Sequence, residues 1–365
     1  MMTEVNPIYS EIAEKMKMGT SKALPKLLRK MVDVDEAKIL RELPATSEDI
    51  SRALSLDKAA VDKKLQYFFE RGLVTPGKNG WNLHSHRVLL KDHIGSANPK
   101  YNDNEVFDLA REMSLEGTVD LEERIKAGKA APVIEVMRVI PKWQSIQDIE
   151  GVLPCEDMRQ ILKDAAPIML YGCACRRVYR DRPCKETQIP EVCFGIGRMG
   201  EYAKARNLGG KELSYEETLD FFEKLNDLPL VTTTGNTNQM PLVLCNCHDD
   251  CCGLFINRSY TKPLLNKSPL AKSRFVAVDN PEECTACGAC LDEGCPVRAI
   301  SMKFYEEFGE ERAYTNQEEC IGCGVCVVNC PTDARKMKLV RPPEHIPDAK
   351  DFFDVKEKQD ESQKK

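Results

Sequence analysis

Seventeen cysteines stand in this 365-residue chain, all at or after Cys155. Eight fall in two runs, PEECTACGACLDEGCPV at 281–297 and QEECIGCGVCVVNCP at 317–331. The second run has the spacing C-x₂-C-x₂-C-x₃-C-P; the first has one more residue before its last cysteine. Three thiolates carried by one tight turn can meet three irons of a [4Fe–4S] cube. Gly288, Gly322 and Gly324 let the backbone close around the sulfides, and Pro296 and Pro331 end the loops. Where two such loops occur together, the last cysteine of each serves the other cluster. One cluster is then expected on Cys284, Cys287, Cys290 and Cys330, and a second on Cys320, Cys323, Cys326 and Cys295. Paired C-x₂-C can also hold zinc, but two triple-cysteine runs with a trailing C-P argue against it here.

Eight further cysteines form two groups. The first is Cys173, Cys175, Cys184 and Cys193, within YGCACRRVYRDRPCKETQIPEVCFGIG. The second is Cys245, Cys247, Cys251 and Cys252, within CNCHDDCCGLF. In an extended segment C-x-C puts both thiols on one side, so residues 173–175 and 245–247 could act as facing hooks for one centre. Arg176 and Arg177 could neutralise it, and His248 could be a ligand or an outer partner. Three readings stand: an additional iron–sulfur cluster, zinc, or reactive thiols. Cys155, alone in VLPCEDM, reads as a small buried hydrophobe.

The elements that must position these residues begin before the first cysteine. Val34–Leu43 predicts a helix, and Thr46 with Asp49 predicts a capping box for the next one. Val61, Leu65, Phe68 and Phe69 share one face of a third helix, which Gly72 ends. VTPGKNGWNLH predicts a hairpin with Gly77 and Asn79-Gly80 in its turn. Three helices and a hairpin resemble a winged helix. Residues 1–100 carry 17 Lys and Arg against 13 Asp and Glu, a net +4 that leaves −10 for the rest. DNA binding is therefore open but not favoured over protein contact. Ser214 and Glu217 predict a capping box for a helix bearing Leu219, Phe222 and Leu225. GIGRMG at 195–200 follows cysteines rather than a predicted strand, so it reads as a loop and not a dinucleotide fingerprint. No run approaches the roughly 18 apolar residues of a membrane span, and the N-terminus has no signal-peptide pattern, so a cytoplasmic location is expected.

The last runs resemble 2[4Fe–4S] bacterial ferredoxins over roughly residues 273–340. The layout of the chain also resembles multi-domain iron–sulfur proteins of anaerobes. Those join a winged-helix-like region, a CxCR/CNC…CC middle domain and a ferredoxin. The matching stretches are GCACR at 172–176, EVCFGIGRMGEYA at 191–203, LCNCHDDCCG at 244–253 and the ferredoxin runs. Relatives tend to carry more cysteines where this chain has His248 and Asp250. The resemblance implies electron transfer beside an anaerobic oxidoreductase. The expected fold class is thus α+β multidomain. It comprises a winged-helix-like domain (1–100), a mixed cysteine-rich middle domain (101–270), a ferredoxin-like 2[4Fe–4S] domain (271–345) and a charged tail (346–365). The expected function is single-electron transfer to or from an oxidoreductase partner, as a carrier or subunit rather than a stand-alone enzyme. The alternatives are an iron–sulfur redox-sensing regulator that binds DNA, and a reductase centred on the middle domain with Cys184 and Cys193 as its working thiols.

Overall fold

The computed structural model describes residues 6–129, 133–291, 294–350 and 354–355. The chain divides into two compact units. One comprises residues 1–131, 171–183 and 202–211, and the other comprises the rest.

Helices dominate the first unit: Pro7–Lys15, Leu24–Met31, Val34–Glu42, Ser47–Leu54, Lys58–Arg71, Arg87–Ser96 and Asn104–Lys126. Reciprocal capping boxes fix two helix starts, Asp33 with Glu36 and Thr46 with Asp49. Gly72, at φ +87, ends the helix Lys58–Arg71 in the left-handed conformation. Strands β1 (Val74–Gly77) and β2 (Gly80–Leu83) follow as an antiparallel hairpin. Its turn is Lys78–Asn79; Gly80 opens the second strand instead of sitting in the turn. The apolar faces of these elements meet in one core that includes Leu24, Leu40, Leu65 and Phe68. On the helix Lys58–Arg71, Lys58 pairs with Asp62 at 2.8 Å and Lys64 with Glu36 at 2.6 Å. Those pairings weaken the pull of this helix on a phosphate backbone.

This unit also holds a buried histidine, His84, beside the half-buried His93, their rings tilted with centres 4.2 Å apart. His93 Nδ1 lies 2.7 Å from Leu89 O and Nε2 lies 3.1 Å from the Tyr202 hydroxyl, which suits a neutral ring. Burial, with the Arg206 guanidinium nearby, pushes the His84 pKa down to about 4. An unfolded histidine titrates near 6.5. The stabilising contribution is therefore fully present above pH 6.5 and is lost as pH falls from 6.5 towards 4. We expect His84 to cost the first unit about 2 kcal/mol between pH 7 and pH 5, and His84→Phe to weaken that dependence without abolishing it, because burial also holds the His93 pKa well below its ordinary value. Urea unfolding followed by Trp81 fluorescence in a Trp143→Phe background reads it. A midpoint that does not move with pH refutes the assignment.

The second unit is built on a mixed sheet. Its strands are β3 (Met137–Ile140), β4 (Ile168–Gly172), β5 (Glu191–Ile196), β6 (Lys211–Leu213), β7 (Val231–Gly235), β8 (Val243–Cys247) and β9 (Leu270–Ala271). The order is β6-β4-β5-β8-β7-β3-β9. Pairs β5–β8, β7–β8 and β3–β7 are antiparallel, and β3–β9 is parallel. One face packs Phe194 against Phe221 and Phe222 of the helix Tyr215–Lys224, which begins with the expected Ser214–Glu217 box. Two further hairpin-like sheets lie in the C-terminal part. Strand β10 (Phe275–Asp279) pairs with β13 (Arg335–Leu339), and β11 (Ile300–Tyr305) with β12 (Glu310–Thr315). The architecture is mixed α and β with several small sheets.

The loop reading of GIGRMG is corrected. The segment runs from the end of β5 into the helix Arg198–Ala205. Gly195 and Gly200 have a packing reason, since a Cβ at Gly200 would stand 2.2 Å from Pro167 O and one at Gly195 2.7 Å from Met199 O. The strand it leaves pairs antiparallel with β8, which is not the βαβ setting of a dinucleotide site. Among the described residues no helix is long and apolar enough to cross a membrane. The extra residue expected in LDEGCP falls at Asp292 and Glu293, and most of the expected charged tail falls at 351–353 and 356–365; both lie outside the described residues.

Candidate iron-sulfur site

Two loops carry the C-terminal thiols. The first leaves β10 through the short turn Pro281–Glu283, and the second follows β12 and ends in the helical turn Val325–Val328. Positive φ angles bend both tightly: Ala286 at 55° and Gly288 at 76° in the first, Gly322 at 70° and Gly324 at 75° in the second. Strand pairing β10–β13 brings the end of the second run back beside the start of the first. Cys284, Cys287, Cys290 and Cys330 consequently line one concavity, together with Met302 and Arg335. Cys287 is exposed at its mouth.

The thiols group by charge in the same way. Burial raises the Cys290 pKa, and Cys284 and Cys330 raise it further. Burial likewise raises Cys323, with Cys326, Cys320 and Cys295 adding to it. Cys326 is pushed up to about 12 by burial, against the opposing Arg335 charge, with Cys320 and Cys295 contributing. Each run's last cysteine thus feels the other run's triad. Thiols that mutually resist ionisation form a donor set that cationic iron relieves, so the residues present fit thiolate-bound clusters.

Arg335 stands between the two sets. It is 3% exposed. Nη1 lies 3.7 Å from Cys290 Sγ, and the side chain also bonds Cys326. Nη2 pairs with Asp279 at 2.9 Å and donates to Thr315 Oγ1. Sequence reasoning missed it. The signal was present in the repeat, where CPVRAI at 295–300 matches CPTDAR at 330–335 and an isoleucine aligns with an arginine.

The second loop is anchored to the large sheet. Lys142 N donates to Cys323 O at 3.0 Å, and its Nζ donates to the carbonyls of Leu225, Asn226 and Leu228 at 3.1, 2.9 and 3.3 Å. Cys245, Cys247 and Cys252 share one apolar cluster with Ile321 and Cys323. Glu319 pairs with Arg258 at 3.3 Å and Lys262 at 3.2 Å from the helix Gly253–Leu265.

The middle cysteines fall on several elements. Cys193 faces Cys245 in the β5–β8 register, and Cys247 follows two residues on, so three thiols share a sheet face. The hook at 245–247 is a strand, as expected. The segment 173–175 is not a strand: Cys173 caps the helix Ala174–Val178, and Cys175 lies inside it. Arg177 donates to Ala97 O at 2.6 Å and Gly95 O at 3.3 Å. Buried Lys91, which the sequence did not single out, comes within 3.5 Å of Cys175 Sγ. Cys184 and Cys251 meet with Asp250. Cys155 is 3% exposed, with its pKa raised by burial, in keeping with a packing role.

A fold and thiol set of this kind define an iron–sulfur domain. The 4Fe-4S dicluster domain family matches residues 276–334, which spans both runs. No curated protein and no solved structure matches the chain. The dicluster domain and the number of cysteines fit an iron–sulfur electron-transfer role.

Proposed function

We propose that the chain passes single electrons through two [4Fe–4S] clusters to or from a redox partner protein. Cys284, Cys287, Cys290 and Cys330 would hold one cluster, and Cys320, Cys323, Cys326 and Cys295 the other. The observation that carries this reading is the crossed grouping: Cys330 lines one concavity with Cys284, Cys287 and Cys290, and Cys295 shares a buried cluster with Cys320 and Cys326. Such clusters supply reversible one-electron chemistry when bound. The chain supplies the rest. Exposed Cys287 puts the first set within reach of a partner. Buried Cys320, Cys326 and Cys295 keep the second set from water. Arg335 bridges the two with a fixed positive charge. The apolar cluster that includes Cys323 and Cys247 extends from the second set to the sheet.

Cys330→Ser and Cys295→Ser test the crossing. In protein prepared without oxygen, wild type should hold about 8 iron in these loops, and each variant should fall towards about 4. EPR of the reduced protein identifies which centre remains. Cys330→Ser should spare the centre that Cys323→Ser removes, and Cys295→Ser should spare the one that Cys287→Ser removes. The reverse pairing refutes the ligand sets, and an iron-free wild type refutes the function.

A further inference from the structure

The turn that leaves β8 carries a second donor set, separate from the C-terminal thiols. Cys184 Sγ, Cys251 Sγ and an Asp250 carboxylate oxygen lie within 4.8 Å of one another. Among the described residues this is the one group of three or more metal-ligating side chains that is so tight. Cys184 is 4% and Cys251 2% exposed. The distance discriminates between chemistries. Two thiolates on one tetrahedral ion, with metal–sulfur bonds of about 2.3 Å, stand about 3.8 Å apart. Thiolates on separate irons of a cube must stand farther apart, so the spacing suits a single ion.

A second observation points the same way. His248 is 3% exposed, and its Nδ1 lies 2.9 Å from Asp250 Oδ1 and 3.3 Å from Asp249 Oδ1. Nδ1 thus faces the Asp250 carboxylate, while His248 Nε2 is buried without a hydrogen-bond partner. Buried polar atoms left in this state are costly unless something else satisfies them. The remaining Asp250 oxygen accepts Lys185 N–H at 2.8 Å, which ties the turn to the residue after Cys184. Asp249 is held by Arg298, at 2.5 Å, outside the trio. Two soft thiolates with one carboxylate select a zinc-class divalent ion over calcium or magnesium, which take oxygen donors.

We propose that Cys184, Cys251 and Asp250 bind one zinc-class ion, with His248 positioning the Asp250 carboxylate. Three protein ligands leave a fourth place for solvent or a small ligand. The site does not depend on the electron-transfer reading, because none of its residues belongs to the C-terminal loops.

Zinc and iron are measured together on the full chain purified without oxygen, and Co²⁺ then replaces zinc as a spectroscopic probe. The expected result is about one zinc per chain and a tetrahedral Co²⁺ spectrum with sulfur-to-metal charge transfer. Cys184→Ser should abolish that spectrum while the iron content stays at the wild-type value, which also reports intact folding. Asp250→Cys should keep the ion and strengthen the charge-transfer band. His248→Ala should weaken Co²⁺ binding by about 10–100-fold. Three results overturn the proposal: iron lost on Cys184→Ser, a Cys184–Cys251 disulfide in the oxygen-free protein, or no Co²⁺ signal from a chain that retains its iron.

Discussion

Arg335→Ile lowers the reduction potentials of the C-terminal centres, by on the order of 100 mV. The substitution copies the sister repeat, where Ile300 holds the matching place and is itself buried. Isoleucine is therefore a shape that this fold already accommodates, so lost packing is a small part of the effect. What changes is charge. The guanidinium lies 3.7 Å from Cys290 Sγ and also bonds Cys326, one thiol from each set. Adding an electron to a thiolate-rich anion is easier beside a fixed cation. At an effective dielectric of about 20, a unit charge roughly 6 Å away contributes about 3 kcal/mol. Asp279 strengthens the effect, because it pairs with Arg335 at 2.9 Å and its negative charge is left exposed to the centres when the arginine goes. Arg335→Lys retains the charge but loses the fork that spans two sulfurs, so its shift should be smaller. Asp279→Asn should move the potentials the other way. Redox titration under EPR, without oxygen, reads all three. Potentials unchanged in Arg335→Ile refute the assignment of the arginine as a shared tuning charge.

What was legible in the sequence follows from how local each signal is. The capping boxes at Asp33, Thr46 and Ser214 involve residues three apart, and the thiol triads lie within seven residues. Thr46, Ser214 and both triads could therefore be read directly. Asp33–Glu36 has the same local form. The middle thiols were harder, because C-x-C fixes a direction only if the segment is extended. Residues 245–247 are extended and residues 173–175 are not. Four residues could not be reached from motif reading alone. Arg335 acts through a strand pairing that brings residue 335 opposite 279. Lys142 reaches Cys323 across 181 positions of chain. Lys91 meets Cys175 through the packing of separate helices, 84 positions apart. Asp250 joins Cys184 across 66 positions, and no local spacing links the two. GIGRMG shows the opposite failure. Without a visible strand before it the segment looked like a loop, yet β5 is a strand whose cysteine pairs in register with Cys245.

The two repeats also predict which glycine the second loop requires. Gly322 occupies the place that Ala286 holds in the first loop, between the first and second cysteines of the triad. Both have positive φ, 70° and 55°. The first loop therefore shows that an alanine can take this conformation, at a cost of about 1 kcal/mol. The second loop differs in its neighbours. A Cβ at Gly322 would stand 2.1 Å from Ser273 Oγ and 2.2 Å from Phe275 O. Ser273 Oγ donates to Gly322 O at 2.8 Å, and Phe275 belongs to β10, so neither can withdraw without moving the strand that frames the site. Gly322→Ala should cost about 3 kcal/mol or more, through strain and overpacking together. The displaced backbone carries Cys320 and Cys323, so we expect the variant to lose about half of its C-terminal iron, all from the second centre. Ser273→Gly should restore part of it by removing one of the two clashes, while the Phe275 carbonyl keeps the rescue incomplete. Ala286→Gly serves as the matched control and should leave iron content unchanged. Full iron loading in Gly322→Ala, measured beside EPR of the reduced protein, would show that the second loop tolerates the side chain as the first loop does.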